Sequence, residues 1–481
     1  MIFRSAVLIA FIYVAIFARA QSLPQEVADA FAKAKIPLEN VAVLVKEVGS
    51  KDALVSVNAG KSMNPASVIK LVTTYAGLEL LGPTYVWKTE VYSSGDMRGG
   101  ALVGDLILKG SGDPKLSAER FAALVKQLRD RGLDDIQGDL ILDRSSFEPV
   151  AHNEAAFDGE SLRAYNVGPD PLLLSFKTVR FHFAPSLDDK SVAISPDVKP
   201  TQLEISNRVK LVDAPCGEWR DRILLDVQEI KPTRIRVSFT GGYPRSCGER
   251  VWNMALLDHA RFVGGVFASI WRASGGKWEG AVRIAPTPAK AKLIATTESA
   301  PLADVVRDIN KFSNNVMARQ LFLTLSAEAW VGNLKEPGNA SRSGQIIKEW
   351  LAKKNIAASE LVLENGSGLS RIERISASTL AQMLDAAWRS SVMPEFVSSM
   401  PLLGLDGTMR RRSRGESIAG QAHLKTGTLN DARAIAGYVL DATGRRWIVV
   451  MMINHPSSGQ AQAAQEALLN AVYLTNASNG K

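Results

Sequence analysis

Metal-binding residues are scarce in this chain. Its 481 residues include two cysteines, Cys216 and Cys247, and five histidines, and none falls in a C-x-x-C or H-E-x-x-H spacing. A zinc-dependent mechanism is therefore not expected, and nothing in the sequence asks for a cofactor. Long apolar runs are missing beyond the first twenty residues, so no later segment reads as a membrane-spanning helix. Lysine and arginine outnumber the acids, 57 to 49, but they are dispersed, and aromatics do not interleave with them along any stretch. That disfavours nucleic acid as a partner. Arg410-Arg-Arg412 is the one tight basic cluster and reads as part of a solvated loop. A G-x-S-x-G turn is absent, which argues against an α/β-hydrolase. No repeat or low-complexity segment stands out.

What is present begins with the N-terminus. Arg4 is the only charge ahead of an apolar run over 6–17, and Ala18-Arg-Ala20 has the small-x-small form of a cleavage site. Residues 1–20 thus read as a secretory signal removed after Ala20. An exported chain meets an oxidising compartment, so Cys216 and Cys247 are expected to form one disulfide. With 46% hydrophobic residues over this length, the chain can build a large core in more than one domain.

The pattern of elements is α+β. Residues 41–48 and 53–57 read as strands, and Pro65 opens a helical pattern that runs from 66 to 81 and stops at Gly82-Pro83. Three strands follow late, over 422–428, 432–440 and 447–454, before an alanine-rich helix at 460–474. Together the two ends suggest one antiparallel five-stranded sheet flanked by helices. Between them, residues 85–283 are mostly short strands with Gly, Pro and Asp turns, interrupted by helices at 117–131 and 256–273. This stretch reads as an inserted, mainly β region of about two subdomains, 85–175 and 176–283. The main domain would comprise 21–84 and 284–481, with further helices at 302–323 and 343–354.

Three short strings carry chemistry. Ser67-Val-Ile-Lys70 places a hydroxyl near a helix start with an amine three residues on, on the same face. Serine needs a base before it attacks a carbonyl, and Lys70 can act as one if burial and a second cation lower its pKa. Lys425 is the natural second cation. Ser313-Asn-Asn315 sits at a break in the 302–323 helical pattern. Ser313 can relay a proton to a leaving amine, and Asn315 can bond both Lys70 and a substrate amide. In Lys425-Thr-Gly427, Lys425 and Thr426 can hold a carboxylate, while Gly427 permits close approach. The amides of Thr428 and Ser67 can form an oxyanion hole. A fourth string, Glu466-Ala-Leu-Leu-Asn470, matches the E-x-x-L-N water-positioning motif of some β-lactamases. It falls after Lys425, where that role has no place, and reads as coincidence.

The ordered trio resembles the serine DD-peptidases and β-lactamases. The insertion, which puts about half the chain between Ser67 and Ser313, narrows the likeness to class C low-molecular-mass penicillin-binding proteins, the D-alanyl-D-alanine carboxypeptidase/endopeptidase family. Gly110-Ser-Gly-Asp-Pro114, Gly138-Asp-Leu-Ile-Leu-Asp143 and Glu364-Asn-Gly-Ser-Gly-Leu-Ser-Arg371 add to it. The resemblance implies an acyl-enzyme at Ser67, hydrolysis of peptidoglycan stem peptides and cross-links in the periplasm, and β-lactams as covalent inhibitors. It also implies that Arg371 and Asn430 line the cleft. A carboxylate from the inserted region would touch the diaminopimelate side chain, Glu160 by preference, with Asp158 as the alternative. A serine β-lactamase and a non-catalytic muropeptide-binding protein remain as rival readings. Loose association with the membrane or envelope proteins stays open, as does the oligomeric state.

Overall fold

Strands from the two ends of the chain pair in the central sheet of the computed structural model, which describes residues 22–475 except 188–189, 232 and 332–333. The expected signal segment, 1–20, lies outside the described residues. The sheet runs in the order Ala53–Val57, Val41–Glu47, Arg446–Asn454, Ala432–Leu440, Ala422–Thr428, antiparallel throughout. Successive side chains of a strand point to opposite faces, and here both faces are covered. Ile448, Val450 and Met452 enter one core, and Val449, Met451 and Ile453 enter another. That is why these strands read as unbroken apolar runs rather than alternating ones.

One face is covered by helices Gln25–Lys33 and Gln462–Tyr473, which supply Val27, Phe31, Leu468 and Val472. The other carries helices Lys70–Leu81, Leu302–Phe312, Asn315–Glu328 and Ala377–Trp388. Residues 70–78 of the first of these are all buried, as expected of a helix that is apolar on every side. The α+β architecture and its five-stranded antiparallel sheet thus agree with the sequence reading.

The interposed region is mainly β. Strands Val282–Ile284, Leu140–Asp143, Leu106–Gly110, Lys88–Ser93 and Lys292–Glu298 form a mixed sheet. A second group centres on Arg234–Pro244, flanked by Leu203–Asn207, Lys210–Val212 and Ile223–Lys231. One continuous core, from Val91 to Ala295, joins both groups around helix His259–Ala273. Lys292–Glu298, past the boundary read at 283–284, pairs with Lys88–Ser93.

Several element ends differ from the sequence reading for identifiable reasons. The helix read from Pro65 begins instead with a 3-10 turn, Ala66–Ile69, and becomes α-helical at Lys70, because Ala66 adopts φ +45. The 302–323 pattern is two helices. Ser313 sits in the left-handed region (φ 55), and the Asn314 side chain caps the second helix by accepting from Met317 N. Asp258 caps the 256–273 segment, so that helix starts at His259. The short helices Gln25–Lys33 and Met393–Ser399 were not among the elements read from the sequence.

Cys216 and Cys247 are bonded, with Cα atoms 4.8 Å apart across a sequence separation of 31. Closing a loop of this length contributes about 3–4 kcal/mol on the chain-entropy account. We expect a Cys216→Ser/Cys247→Ser double variant to unfold at markedly lower denaturant concentration. An unchanged midpoint would show that the bond adds nothing to stability.

Candidate active site

The turn carrying Ser67 is fastened on three sides. The Asn64 side chain accepts from Ala66 N at 2.8 Å and donates to Ser370 O at 2.9 Å. Asn454, at the end of a central strand, accepts from Asn64 N at 2.7 Å and donates to Asn64 O at 2.9 Å. Two glycines let other backbone close in. A Cβ on Gly427 would lie 2.9 Å from Ser67 N, and one on Gly368 would lie 2.1 Å from Ala66 O. Gly427 therefore makes room for the Ser67 turn itself, the close backbone approach expected of it. Gly368 (φ +81), quoted in the sequence only as part of the Glu364–Arg371 string, makes the same room for Ala66.

Lys70 is fully buried yet has three partners. Its Nζ donates to Ser67 Oγ at 2.9 Å, to Asn315 Oδ1 at 2.7 Å and to Ser367 O. Burial pushes its pKa well below the ordinary lysine value, and the Lys425 charge pushes the same way. Glu373 opposes that shift and Arg319 adds to it. Lys425, also fully buried, donates to Ser313 Oγ at 2.8 Å and Thr426 O at 2.7 Å, and burial brings its pKa down to about 7.

Their partners Ser67 and Ser313 line a cleft of about 500 Å³ with Thr426, Gly427 and Thr428, and Thr408, Arg411, Arg412 and Arg433 border it as well. The Arg410-Arg-Arg412 cluster belongs to a loop with Arg410 and Arg411 exposed, as read, and Arg411 and Arg412 also border the cleft. The reason is the chain's return into strand Ala422–Thr428, where Leu402 bridges to His423 and Thr408 Oγ1 lies 3.0 Å from Thr426 Oγ1. Glu466 is absent from the lining and is held by Arg412 at 3.3 Å.

The residues read from the family likeness sit at the margins. Arg371 pairs with Asp431 at 3.2 Å and stacks over the Phe157 ring at 4.4 Å. Asn430 is exposed in the adjoining turn. Glu160 is exposed and pairs with Arg163 at 3.2 Å. Asp158 is occupied in shaping its own loop, accepting from Tyr165 Oη at 2.8 Å and Asn166 Nδ2 at 2.7 Å. That loop does reach the site, since Tyr165 O accepts from Asn315 Nδ2 at 3.5 Å.

Sequence reading missed Glu373. Its buried carboxylate accepts from the backbone N–H groups of Glu364, Asn365, Gly366 and Gly368, at 2.7–3.2 Å. It thereby shapes the loop whose Ser367 carbonyl meets Lys70. The available signal was a glycine-rich loop with many N–H groups to satisfy and one acid close behind it. Glu373→Ala would leave those donors buried without an acceptor. We expect destabilisation of about 3 kcal/mol or more in denaturant unfolding, with Glu373→Gln milder. Equal stability of Glu373→Ala and the parent would remove this role.

Among the described residues no helix is long and apolar enough to cross a membrane, and no acid, histidine or cysteine cluster could hold a metal ion. The chain is 26% identical over 445 residues to a D-alanyl-D-alanine carboxypeptidase of Actinomadura sp. (strain R39), covering 89% of this chain and 80% of that protein. It is 24% identical over 428 residues to the Haemophilus influenzae D-alanyl-D-alanine carboxypeptidase DacB, covering 88% and 87%. Its fold matches the crystal structure of penicillin binding protein 4 from H. influenzae with a TM-score of 0.75 at 24% identity, over 93% of this chain and 99% of that one. The D-Ala-D-Ala carboxypeptidase 3 (S13) family matches residues 23–473, and the chain belongs to that family of serine hydrolases.

Proposed function

We propose that Ser67 is the nucleophile of a periplasmic D-Ala-D-Ala carboxypeptidase and DD-endopeptidase, and that Lys70 is its base. The observation that carries this reading is a buried lysine with a lowered pKa, 2.9 Å from the serine hydroxyl and close enough to a second buried lysine to feel its charge. Neutral Lys70 takes the Ser67 proton as Oγ attacks the carbonyl between two D-alanines, or between D-alanine and diaminopimelate in a cross-link. The oxyanion is met by the amides of Ser67 and Thr428. Ser313 passes a proton to the departing amine and is refilled by the one Lys70 took from Ser67, so the peptide bond breaks, an ester is left on Ser67 and Lys70 is neutral again. Lys425, with Thr426, holds the leaving residue's carboxylate, and Asn315 orients the acyl half. Water then cleaves the ester. Glu160, or Asp158 in its place, and Arg371 and Asn430 are proposed substrate contacts at the inserted-region end of the cleft. An extracytoplasmic site of action is supported by the A-x-A segment and the disulfide.

Ser67→Ala is expected to keep the fold and lose turnover. Intact mass after exposure to benzylpenicillin should show an adduct on the parent alone, and turnover by the variant would refute the assignment. A parent adduct that disappears within seconds while penicillin is consumed would favour a β-lactamase instead.

The two lysines also set a pH dependence. Lys70 must be neutral to accept a proton, so kcat/KM rises as pH climbs through its lowered pKa. Lys425 must be charged to hold a carboxylate, so kcat/KM falls as pH climbs through about 7. Lys425→Ala removes the neighbouring charge, which lets the Lys70 pKa rise and moves the acid limb to higher pH. An unmoved acid limb in the pH–rate profile would sink the coupling.

A further inference from the structure

The mechanism above leaves the basic segment at 410–414 unused, although it borders the cleft. Arg411 lines both that cleft and a second cavity of about 430 Å³, whose other walls are Gly407, Thr408, Arg410 and Arg414. Thr408 is shared as well, so the two cavities adjoin at Thr408 and Arg411. Arg410, Arg411 and Arg414 are exposed and have no ion-pair partner among the described residues, and no acid lines either cavity. The inner wall holds spare donors too. Arg412 Nη2 and Gln465 Nε2 are buried without an acceptor among the described residues, and both residues line the cleft. Unneutralised guanidinium groups crowded along a groove repel one another, and an anion in the groove relieves that repulsion.

The direction of the groove selects the anion. It starts at Ser67, Ser313 and Thr426 and passes Thr408, whose Oγ1 is 3.0 Å from Thr426 Oγ1, before reaching the arginines. The acyl half of a substrate has its own end of the site, beside Asn315 and the Tyr165 carbonyl. A leaving D-alanine ends at the carboxylate held by Lys425 and Thr426, with no atoms to extend further. The leaving diamino acid of a cross-link places its carboxylate at the same point, but its side chain continues into a second stem peptide bearing further free carboxylates.

We propose that Arg410, Arg411 and Arg414 form an anion subsite for the carboxylates of the leaving stem peptide, which biases this chain toward cross-linked substrates over free D-Ala-D-Ala ends. The inference rests on the reading that Ser67 is the nucleophile and Lys425 the carboxylate anchor. Bidentate, always-charged arginine suits carboxylates reached at several positions along a flexible peptide. Because the three side chains are exposed, their contribution is screened by salt.

The test compares the parent with an Arg410→Ala/Arg411→Ala/Arg414→Ala variant of the full mature chain. Each is assayed on a cross-linked muropeptide dimer, on the same dimer with the leaving stem's free carboxylates amidated except the one that Lys425 anchors, and on a stem peptide ending in D-Ala-D-Ala. In the parent, the ratio of kcat/KM for dimer over stem peptide should exceed that of the variant about tenfold, or about 1.4 kcal/mol. Amidation should erase the parent's advantage and leave the variant unaffected, and added salt should narrow the gap. A ratio unchanged by the triple substitution overturns the proposal, as does an amidated dimer cleaved as well as the free one. Loss of all three activities in Ser67→Ala, measured alongside, keeps the nucleophile assignment separate. If Ser67→Ala stays active, the underlying reading fails before the subsite does. Binding of the arginines to a phosphate-rich polymer, with dimer cleavage unaltered in the variant, likewise counts against the subsite.

Discussion

The site depends on an amine held where an ammonium is unwelcome. Lys70 is wholly buried, meets Ser67, Asn315 and the Ser367 carbonyl, and has Lys425 as its nearest cationic influence. Burial and like charge both favour its neutral form, which is what a proton acceptor requires. The surrounding architecture can be understood as the means of enforcing that burial. Lys70 begins a helix buried on every side, Asn315 begins another, and Lys425 lies in the edge strand that closes the cleft.

This arrangement works against stability. Both lysines have folded pKa values below the unfolded value of 10.5, so near neutrality the unfolded chain binds protons that the native chain does not. Their contribution to stability is therefore unfavourable below the folded pKa values, and it is relieved as pH rises toward 10.5. The cost, on the order of a few kcal/mol, is offset by the two covered faces of the sheet and by the fastening of the Ser67 turn through Asn64 and Asn454. Glu373 adds to this fastening by satisfying four backbone donors of the glycine-rich loop.

Much of the fold was legible because local physics and tertiary packing agree there. The late strands are long apolar runs bounded by turns, and they are strands. The break in the 302–323 pattern was legible as a motif but not as a left-handed Ser313 followed by an Asn314 cap, since propensity does not encode that kink. Helix Gln25–Lys33 was not read although Val27 and Phe31, its buried positions, fall four residues apart as an amphipathic helix requires. The Arg410 cluster lies in an exposed loop as read, but its place beside the cleft was not legible, because a basic loop looks the same in sequence whether or not it borders one. Arg319 acts on Lys70 through space and no spacing in the chain announces it, whereas Glu373 left only the trace of an acid behind a glycine-rich loop.

By itself the sequence determined which chemical groups are present and in what order: a serine with a lysine one turn on, a second serine with an asparagine, and a lysine in a glycine-bearing strand. It also determined the α+β class, because strands that need cover on both faces must be apolar throughout. Only the tertiary structure decided that groups 245 residues apart, Lys70 and Asn315, meet at 2.7 Å, and that Lys425 stands beside Ser313. It also decided that the arginines line a cavity adjoining the cleft. The reason is physical: a pKa, a hydrogen bond and a cleft arise from distance and burial, and those are properties of the packed chain rather than of its order.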